Sequence, residues 1–352
     1  MTPRTHQARW LPAPQFAAFA AADTDAHRIF SGPDGWVERL GTDALISYKH
    51  DASRDGLLAA LAPFADSVQW QPRRVFGKLL PRHNEDRDAP ALLTGDPALP
   101  LTTVVREGGI RYALDFAAGY SAGLFLDQRA NRALLRAAAP RRLLNTFAYT
   151  CSFSVAAALA GAETLSVELS KKSLDRGRAN FALNAIPTDS PQTAETPLSS
   201  RKPGESRAQP KGKSPASLRE PLHPPSPSPV KSAHRFLADD VLDVLPRLAR
   251  RGEKFDAIVL DPPTFSRGHK GRRWRVEEHF ADLLIAALEV AAPAARILLS
   301  TNCATLALSD LERLARFALK FARRPCETHP GPQLPDFPPG HGARTLWLAL
   351  RG

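Results

Sequence analysis

Four polar segments of the sequence each follow a short apolar run, and together they could bind one ligand. Residues 145–153 form a turn that enters a helix, and the free N–H groups of a helix N-terminus suit a carboxylate or a phosphate. Glu168 follows the second run, where an acid can accept hydrogen bonds from both hydroxyls of a ribose. Asp240 follows the third run and could accept from an adenine amino group. Asp261 follows the fourth run, and two prolines behind it stiffen the backbone.

The elements between these segments explain how they would meet. From about residue 141, apolar runs and amphipathic stretches alternate, which predicts a doubly wound α/β fold. Ligands of such sheets bind outside the carboxyl ends of the strands, where the strand order reverses. We expect strands at 143–147, 164–169, 235–237, 256–260, 296–301 and 344–350. We expect helices at 153–160, 171–183, 241–248, 277–290 and 310–322, with Ser170 and Ser309 as N-caps.

The remaining sequence divides into two further regions. Residues 1–135 contain predicted strands at 36–40, 44–48 and 109–116 and a helix at 53–64, which indicates a smaller N-terminal α+β domain. The catalytic domain would then span residues 136–352. Residues 187–235 interrupt it with 11 of the 32 prolines, and we predict a disordered insertion because this stretch can bury little apolar surface.

The composition indicates which partners, cellular location and metal sites to expect. The formal net charge of +11 favours nucleic acid as a partner. There is no apolar run of about 18 residues to cross a membrane, and the first residues lack the pattern of a secretory signal. Three widely spaced cysteines form neither a disulfide framework nor a zinc motif. We therefore expect a cytoplasmic protein without a metal, and the oligomeric state stays open.

Several of these motifs resemble one family. The four segments, and residues 123–129 upstream of them, resemble the class I methyltransferase domain of bacterial 23S rRNA large subunit methyltransferases I and K/L. The resemblance runs from about Trp36 to the C-terminus, apart from the insertion. The first turn lacks the Gly-x-Gly-x-x-Gly pattern of dinucleotide-binding proteins. It also carries Cys151 where the family usually has glycine, and only about 35 residues precede Trp36, which is too few for the RNA-binding domain of the I type.

The resemblance implies a seven-stranded Rossmann-like methyltransferase sheet, S-adenosylmethionine as cofactor and 23S rRNA as partner. Glu168 would hold the ribose, Asp240 the adenine, and Asp261 would face the methyl group and the target base. Arg129 would lie near the cofactor or a phosphate, although a plain salt bridge is an alternative. The methionine end would lie near Phe147, Tyr149, Thr150 and Ser152.

Cys303 decides between two reactions. In the I type, a cysteine in the corresponding loop is the nucleophile of cytosine C5 methylation, because C5 reacts only after a thiolate adds to C6. This is the favoured prediction, with Cys303 and Asp261 as catalytic residues. The K/L type has no cysteine there and methylates a guanine nitrogen, in which case Cys303 would be a structural residue.

A basic segment follows Asp261 directly. Basic side chains with aromatic ones among them suit single-stranded RNA, through phosphate contacts and base stacking. A solvated loop, or a core position for the first aromatic, is the alternative. The predicted RNA-binding residues are Phe265, Arg267, Lys270, Arg272, Arg273 and Trp274.

Two other functions fit the same residues. The fold also supports methyltransferases that act on proteins or small molecules, because a fold does not determine a substrate. A non-catalytic RNA-binding protein is the third hypothesis, and Cys151 in the cofactor turn is the reason for considering it.

Overall fold

The computed structural model describes residues 8–80, 87–188, 233–267 and 273–352. The predicted disordered insertion at 187–235 lies almost entirely outside these residues. Within them, the chain forms two large sheets, a six-stranded one near the N-terminus and a seven-stranded one after it.

The first sheet is built from consecutive strands. All neighbours are antiparallel except β4 and β5, which are parallel and joined by a helix that packs on the sheet. The predicted strands at 36–40 and 44–48 and the predicted helix at 53–64 are confirmed. The elements are β1 (Arg9–Trp10), α1 (Ala13–Ala21), β2 (Ala26–Gly32), β3 (Gly35–Leu40), β4 (Asp43–Tyr48), α2 (Asp51–Ser67), β5 (Arg74–Leu79) and β6 (Ala91–Gly95).

A hairpin and a helix connect the two sheets. The hairpin consists of β7 (Thr102–Glu107) and β8 (Ile110–Asp115), and the helix is α3 (Arg129–Ala138). Leu135 of α3 packs against Leu143 and Phe153 of the second domain. The predicted domain boundary after residue 135 therefore falls inside a helix that belongs to the catalytic core.

The second sheet is the predicted doubly wound sheet, and its seven strands are present. It has the order β11-β10-β9-β12-β15-β17-β16, in which the first five strands are parallel and β17 is antiparallel to both neighbours. The elements are β9 (Arg142–Thr146), α4 (Ser152–Ala158), β10 (Glu163–Glu168), α5 (Lys171–Leu183), β11 (His234–Ala238), α6 (Val241–Arg250), β12 (Phe255–Leu260), β13 (Phe265–Arg267), β14 (Arg273–Arg275), α7 (Val276–Val290), β15 (Ala291–Thr301), α8 (Leu308–Phe321), β16 (Cys326–Pro330) and β17 (Arg344–Leu350).

The sheet separates two hydrophobic cores, and alternate side chains of its strands pack into one or the other. Leu144 and Ile258 belong to the core shared with α6, α7 and α8, whereas Leu143 and Val259 belong to the core shared with α3 and α4. Burial on both faces explains why these strands read as continuous apolar runs. Among the described residues, no helix has both the length and the apolar character that crossing a membrane requires.

The N-caps predicted for two helices can be compared with the structure, as can the strands near the C-terminus. Ser170 caps α5 as predicted, because its hydroxyl accepts from the backbone N–H of Ser173 at 3.2 Å. The predicted cap at Ser309 is wrong: α8 begins at Leu308, two residues before the predicted start, and Asp310 accepts from the N–H of Ala307 at 2.9 Å. The edge strand β16 was not predicted, because it is mostly exposed and shows no apolar alternation.

A buried ion pair ties the hairpin to α3. Arg132 is 1% exposed, and its Nε and Nη2 donate to the two carboxylate oxygens of Glu107 at 2.7 and 2.6 Å. Its Nη2 also donates to the Phe125 carbonyl at 2.9 Å. The pair therefore joins the hairpin, the segment before α3 and α3 itself.

Arg132→Ala should lower the free energy of unfolding by about 3–5 kcal/mol, because it leaves the Glu107 carboxylate buried without its partner. Urea unfolding followed by circular dichroism would measure this. Arg54→Ala, which removes exposed pairs with Asp51 and Asp55, is the control and should leave stability nearly unchanged because solvent screens such pairs. Equal effects of the two changes would contradict a structural role for the Arg132 pair.

Candidate active site

A cleft of about 340 Å³ lies at the carboxyl ends of the parallel strands, beside the point between β9 and β12 where the strand order reverses. All four segments identified from the sequence contribute to it. Six of the predicted site residues line it, namely Phe147, Tyr149, Glu168, Asp240, Asp261 and Trp274. The other lining residues are Phe125, Leu169, Asp239, Val241, Leu242, Pro262, Pro263, Thr264, Ser266 and Asn302.

The turn between β9 and α4 has an unusual backbone. Phe147, Tyr149 and Cys151 have φ angles of 51°, 48° and 59°, a left-handed conformation that costs about 1–2 kcal/mol for a residue other than glycine. This explains why glycine is the expected residue at position 151. Cys151 is fully buried, and its Sγ would lie 2.5 Å from a Cβ added to Gly177 of α5. The thiol thus fills the space above a glycine, and burial raises its pKa to about 12.

Glu168 holds this turn in place. It ends β10, and its Oε2 accepts from the backbone N–H of Tyr149 at 3.0 Å, while its Oε1 accepts from the N–H of Ser170 at 3.0 Å. A carboxylate has about four acceptor positions, so two remain for a ligand. The predicted ribose ligand is therefore also a structural part of the cofactor turn.

Two neighbouring acids begin the next helix. Asp240 caps α6, because its Oδ1 accepts from the N–H of Leu242 at 3.0 Å. Asp239 forms an ion pair with Arg247, which lies in the last turn of the same helix. Both acids line the cleft, so its far end is acidic and able to accept from amino or hydroxyl groups.

Asp261 lies on the side of the cleft nearest the N-terminal domain. Burial raises the pKa of its carboxyl to about 6, although a hydrogen bond with Ser300 acts in the opposite direction. Gln128 lies beside both residues, with its Nε2 3.4 Å from Asp261 Oδ2 and 2.7 Å from Ser300 Oγ. Gln128 was missed in the sequence, although it lies within the family-like segment 123–129.

Three predicted cofactor residues are not among those that line the cleft. Arg129 is bound to Asp336 and donates to the Ala26 carbonyl at 3.2 Å, so the alternative of a salt bridge is correct. Thr150 is buried, and its hydroxyl donates to the Gly123 carbonyl at 2.6 Å. Ser152 faces Arg132, whose Nη1 lies 3.4 Å from its Oγ. Thr150 and Ser152 thus face away from the cleft, and their contacts with Gly123 and Arg132 hold the turn on its buried side.

The residues of the predicted RNA-binding segment lie in different environments, some buried and some exposed. Trp274 is 4% exposed, donates from Nε1 to the Pro263 carbonyl at 2.9 Å and forms a wall of the cleft, so it is not free to stack on RNA at the surface. Phe265 is 46% exposed, which excludes the core alternative, and Arg273 is also exposed. Lys270, Arg272 and the side chain of Arg267 lie outside the described residues.

Cys303 lies next to the cleft but does not line it. Asn302, the preceding residue, reaches the cleft, whereas the thiol of Cys303 is 2% exposed. Its Sγ lies 3.2 Å from Glu277 Oε1 and 3.0 Å from Thr305 Oγ1. The predicted nucleophile would have to turn toward the cleft before it could react with a base.

The described cleft fits a nucleoside cofactor with a cationic sulfur. Apolar walls surround a small number of carboxylates, as in most small-molecule sites, and the volume lies within their range of about 300–1,000 Å³. Glu168 and Asp240 would accept from hydroxyl and amino groups, and Phe147 and Trp274 would cover the rings. No group of three or more potential metal ligands occurs among the described residues.

Comparison with known proteins agrees with this site. Residues 60–190 match the sequence model of a family described as S-adenosylmethionine-dependent methyltransferase. The match includes the cofactor turn and Glu168. Over this part the chain is similar to S-adenosylmethionine-dependent methyltransferases. S-adenosylmethionine is accordingly its cofactor, as the sequence resemblance implied.

Individual relatives are similar over most of this methyltransferase. YwbD of Bacillus subtilis, provisionally named a ribosomal RNA large subunit methyltransferase, is 27% identical over 317 residues, or 86% of this chain and 67% of its own. Ribosomal RNA large subunit methyltransferase I of Erwinia tasmaniensis is 30% identical over 303 residues, or 82% of this chain and 63% of its own. The chain thus spans about two thirds or less of the length of these relatives.

A solved structure supports the fold of the methyltransferase. SMU.776, crystallised with SAH, superimposes with a TM-score of 0.70 at 24% identity, over 95% of this chain and 78% of its own. The agreement covers both sheets, and the Rossmann-like fold class predicted from the sequence is confirmed.

Glu168→Ala should weaken S-adenosylmethionine binding by roughly ten- to hundredfold, because hydrogen bonds to a charged group contribute about 1.5–3 kcal/mol. Isothermal titration calorimetry would measure the Kd. Glu163→Ala, at the other end of β10, is the matched control and should leave the Kd unchanged. Unchanged binding by Glu168→Ala would exclude its role in the cofactor site.

S-adenosylmethionine should bind more weakly as the pH falls through about 6. The pKa of Asp261 is about 6, so below this pH its carboxylate takes up a proton and no longer attracts the cationic sulfur. The Kd measured at several pH values should rise on the acidic side for the unmodified protein and stay flat for Asp261→Asn. An equal rise in both proteins would assign the titration to another group.

Proposed function

We propose that this protein methylates a base of ribosomal RNA, with S-adenosylmethionine as the methyl donor. The observation that carries the proposal is the cleft itself, with its ordered acids and the antiparallel pair of strands β13 and β14 beside it. Thr264, Ser266 and Trp274 of this region line the cleft, while Phe265 and Arg273 are exposed. An RNA strand that contacts the exposed residues would lie next to the entrance of the cleft.

The choice of RNA rests on charge and on relatives. The net charge of +11 attracts a polyanion. The names of YwbD and of the Erwinia protein assign ribosomal RNA of the large subunit to those proteins. A 23S rRNA substrate and a cytoplasmic location follow for this chain as part of the same proposal.

The residues of the chain would act on a base that has left its stack. An enzyme that modifies a base inside a paired or stacked region must extrude it into its site. Phe265 is exposed and able to stack on a neighbouring base. Asp261, held beside Gln128 and Ser300, would contact the target base where it meets the cofactor. The bound cofactor supplies a methyl group on a positively charged sulfur.

Cytosine C5 remains the proposed acceptor, with Cys303 as the nucleophile. Its loop follows β15 at the carboxyl end of the sheet, and Asn302 already reaches the cleft. Guanine N7 is the second candidate, and one observation favours it: in this structure the Cys303 thiol faces Glu277 and not the cleft. A guanine nitrogen needs no thiol, because it carries a lone pair of its own.

Mass spectrometry would identify the product. Unmodified 23S rRNA would be incubated with the protein and deuteromethyl-labelled S-adenosylmethionine, then digested to nucleosides. We expect labelled 5-methylcytidine, and its loss in Cys303→Ala, because C5 does not react without the adduct at C6. Cys326→Ala should retain the label, because this cysteine lies on the edge strand β16.

Two other results would change the proposal. Labelled 7-methylguanosine, unaffected by Cys303→Ala, would make Cys303 structural. Absence of label in any RNA, combined with label in protein or small molecules, would assign a different substrate to the same cofactor site. A lack of cofactor binding by calorimetry would leave the non-catalytic RNA-binding hypothesis.

A further inference from the structure

We propose that Glu277 is the proton acceptor of Cys303 and the residue that positions its thiol. This inference rests on the proposed cytosine C5 methylation, in which the thiol must lose its proton as sulfur attacks. It concerns a cluster beside the cleft that includes Thr305, and none of these three side chains lines the cleft itself.

The three side chains form a closed set of contacts. Glu277 Oε1 lies 3.2 Å from Cys303 Sγ and 2.8 Å from Thr305 Oγ1, and Sγ and Oγ1 are 3.0 Å apart. The Thr305 hydroxyl donates its hydrogen to the carboxylate, and its neutral oxygen is a far weaker base than a carboxylate, so it does not keep the thiol proton. Among the described hydrogen-bond partners of the thiol, the carboxylate is thus the one able to accept that proton.

The position of Glu277 in the fold keeps it ionised. It lies in the first turn of α7, where free N–H groups and the helix dipole favour a negative charge. Hydrogen bonds from the backbone, from Thr305 and from Cys303 lower its pKa below the ordinary value. A carboxylate in this state is ready to receive a proton.

The other charged groups near the thiol are on neighbouring elements. Arg344 of β17 donates to the Cys303 carbonyl at 3.3 Å and so holds the backbone of the turn. Arg275, just before α7, acts on Glu277 by charge and forms an ion pair with Glu278 at 3.5 Å. Among these charged groups, Glu277 is the one in direct contact with Sγ.

The proton can be followed through the reaction. As the sulfur turns from Glu277 toward the cleft, the S–H proton passes to Glu277 Oε1 and a bond forms between Sγ and C6 of cytosine. The pair of electrons from the C5–C6 double bond moves to C5. After C5 has gained the methyl group, its own proton is lost to solvent and the double bond forms again. The S–C6 bond breaks in this step, and Glu277 returns its proton to sulfur.

Glu277→Gln tests the contact without any methyl transfer. The pH dependence of Cys303 alkylation by iodoacetamide would be followed by peptide mass spectrometry from about pH 6 to about pH 10. Without the neighbouring negative charge, thiolate should form more easily, so the midpoint of alkylation should move to lower pH. Glu278→Gln removes a charge one residue away that does not contact the thiol, and it should leave the midpoint unchanged.

The same variants test the catalytic role, because the predicted effect on the rate of methylation is a loss, whereas the predicted effect on thiolate formation is a gain. In a single turnover with labelled cofactor, Glu277→Gln should form 5-methylcytidine about 100-fold more slowly, the lower end of what a positioned base contributes. Glu277→Asp keeps a carboxylate and should recover part of the rate, while Glu278→Gln should be as active as the unmodified protein. Easier thiolate formation together with slower methylation is a combination that simple loosening of the loop does not produce.

The possible failures are distinguishable. An unchanged alkylation midpoint in Glu277→Gln would overturn the contact, and a shifted midpoint with an unchanged methylation rate would overturn the role as proton acceptor. In both cases the unmodified protein would still form 5-methylcytidine. If the unmodified protein formed only 7-methylguanosine, the cytosine function would fail and this inference with it.

Discussion

The hydrogen bond from the Tyr149 backbone N–H to Glu168 is the contact on which the geometry of the site depends. It joins the turn after β9 to the end of β10, across the two strands that carry the cofactor site. Without such a contact, a turn with three left-handed residues would have little reason to persist, since strained backbone survives only where its surroundings determine it. Cys151 and Gly177 add the matching steric constraint from α5.

This constraint explains how a cysteine can replace the glycine expected in the turn. A side chain at a left-handed position is tolerated when its energetic cost is offset by packing, and the Cys151 thiol is fully buried above a glycine that leaves room for it. The raised pKa of this thiol means that it stays protonated and apolar in character. The departure from the family pattern is therefore accommodated locally and does not disturb the cleft.

The N-terminal domain takes part in the site through the segment that leads into α3. The Glu107–Arg132 pair holds this segment against the hairpin, and Gln128 reaches from it to Asp261 and Ser300. Asp336, from the loop before β17, binds Arg129 and accepts from the Arg28 backbone N–H at 3.0 Å, so it links the first sheet to the second. These buried contacts between the two domains favour a fixed position of one domain relative to the other around the cleft over independent motion of the domains.

The alternation of strands and helices, and the acids that follow the strands, were predictable from the order of the amino acids alone. Both are local properties: burial on two faces gives apolar runs, and parallel strands bring their carboxyl ends to one edge. For this reason Glu168, Asp240 and Asp261 were found without a structure, and all three line the cleft. The family resemblance added the cofactor, which spacing alone does not specify.

Contacts between distant parts of the fold determine which side chains of the connecting segments face the cleft. Gln128 and not Arg129 approaches Asp261, because Arg129 is bound to Asp336, which is more than 200 positions away in sequence. Trp274 forms a wall of the cleft because its indole N–H is bonded to the Pro263 carbonyl. Thr150 and Ser152 point away from the cleft because they contact the Gly123 carbonyl and Arg132, respectively. The position of Cys303 beside Glu277 has the same origin. Contacts between distant segments set the direction of a side chain in a turn, and no local periodicity encodes them.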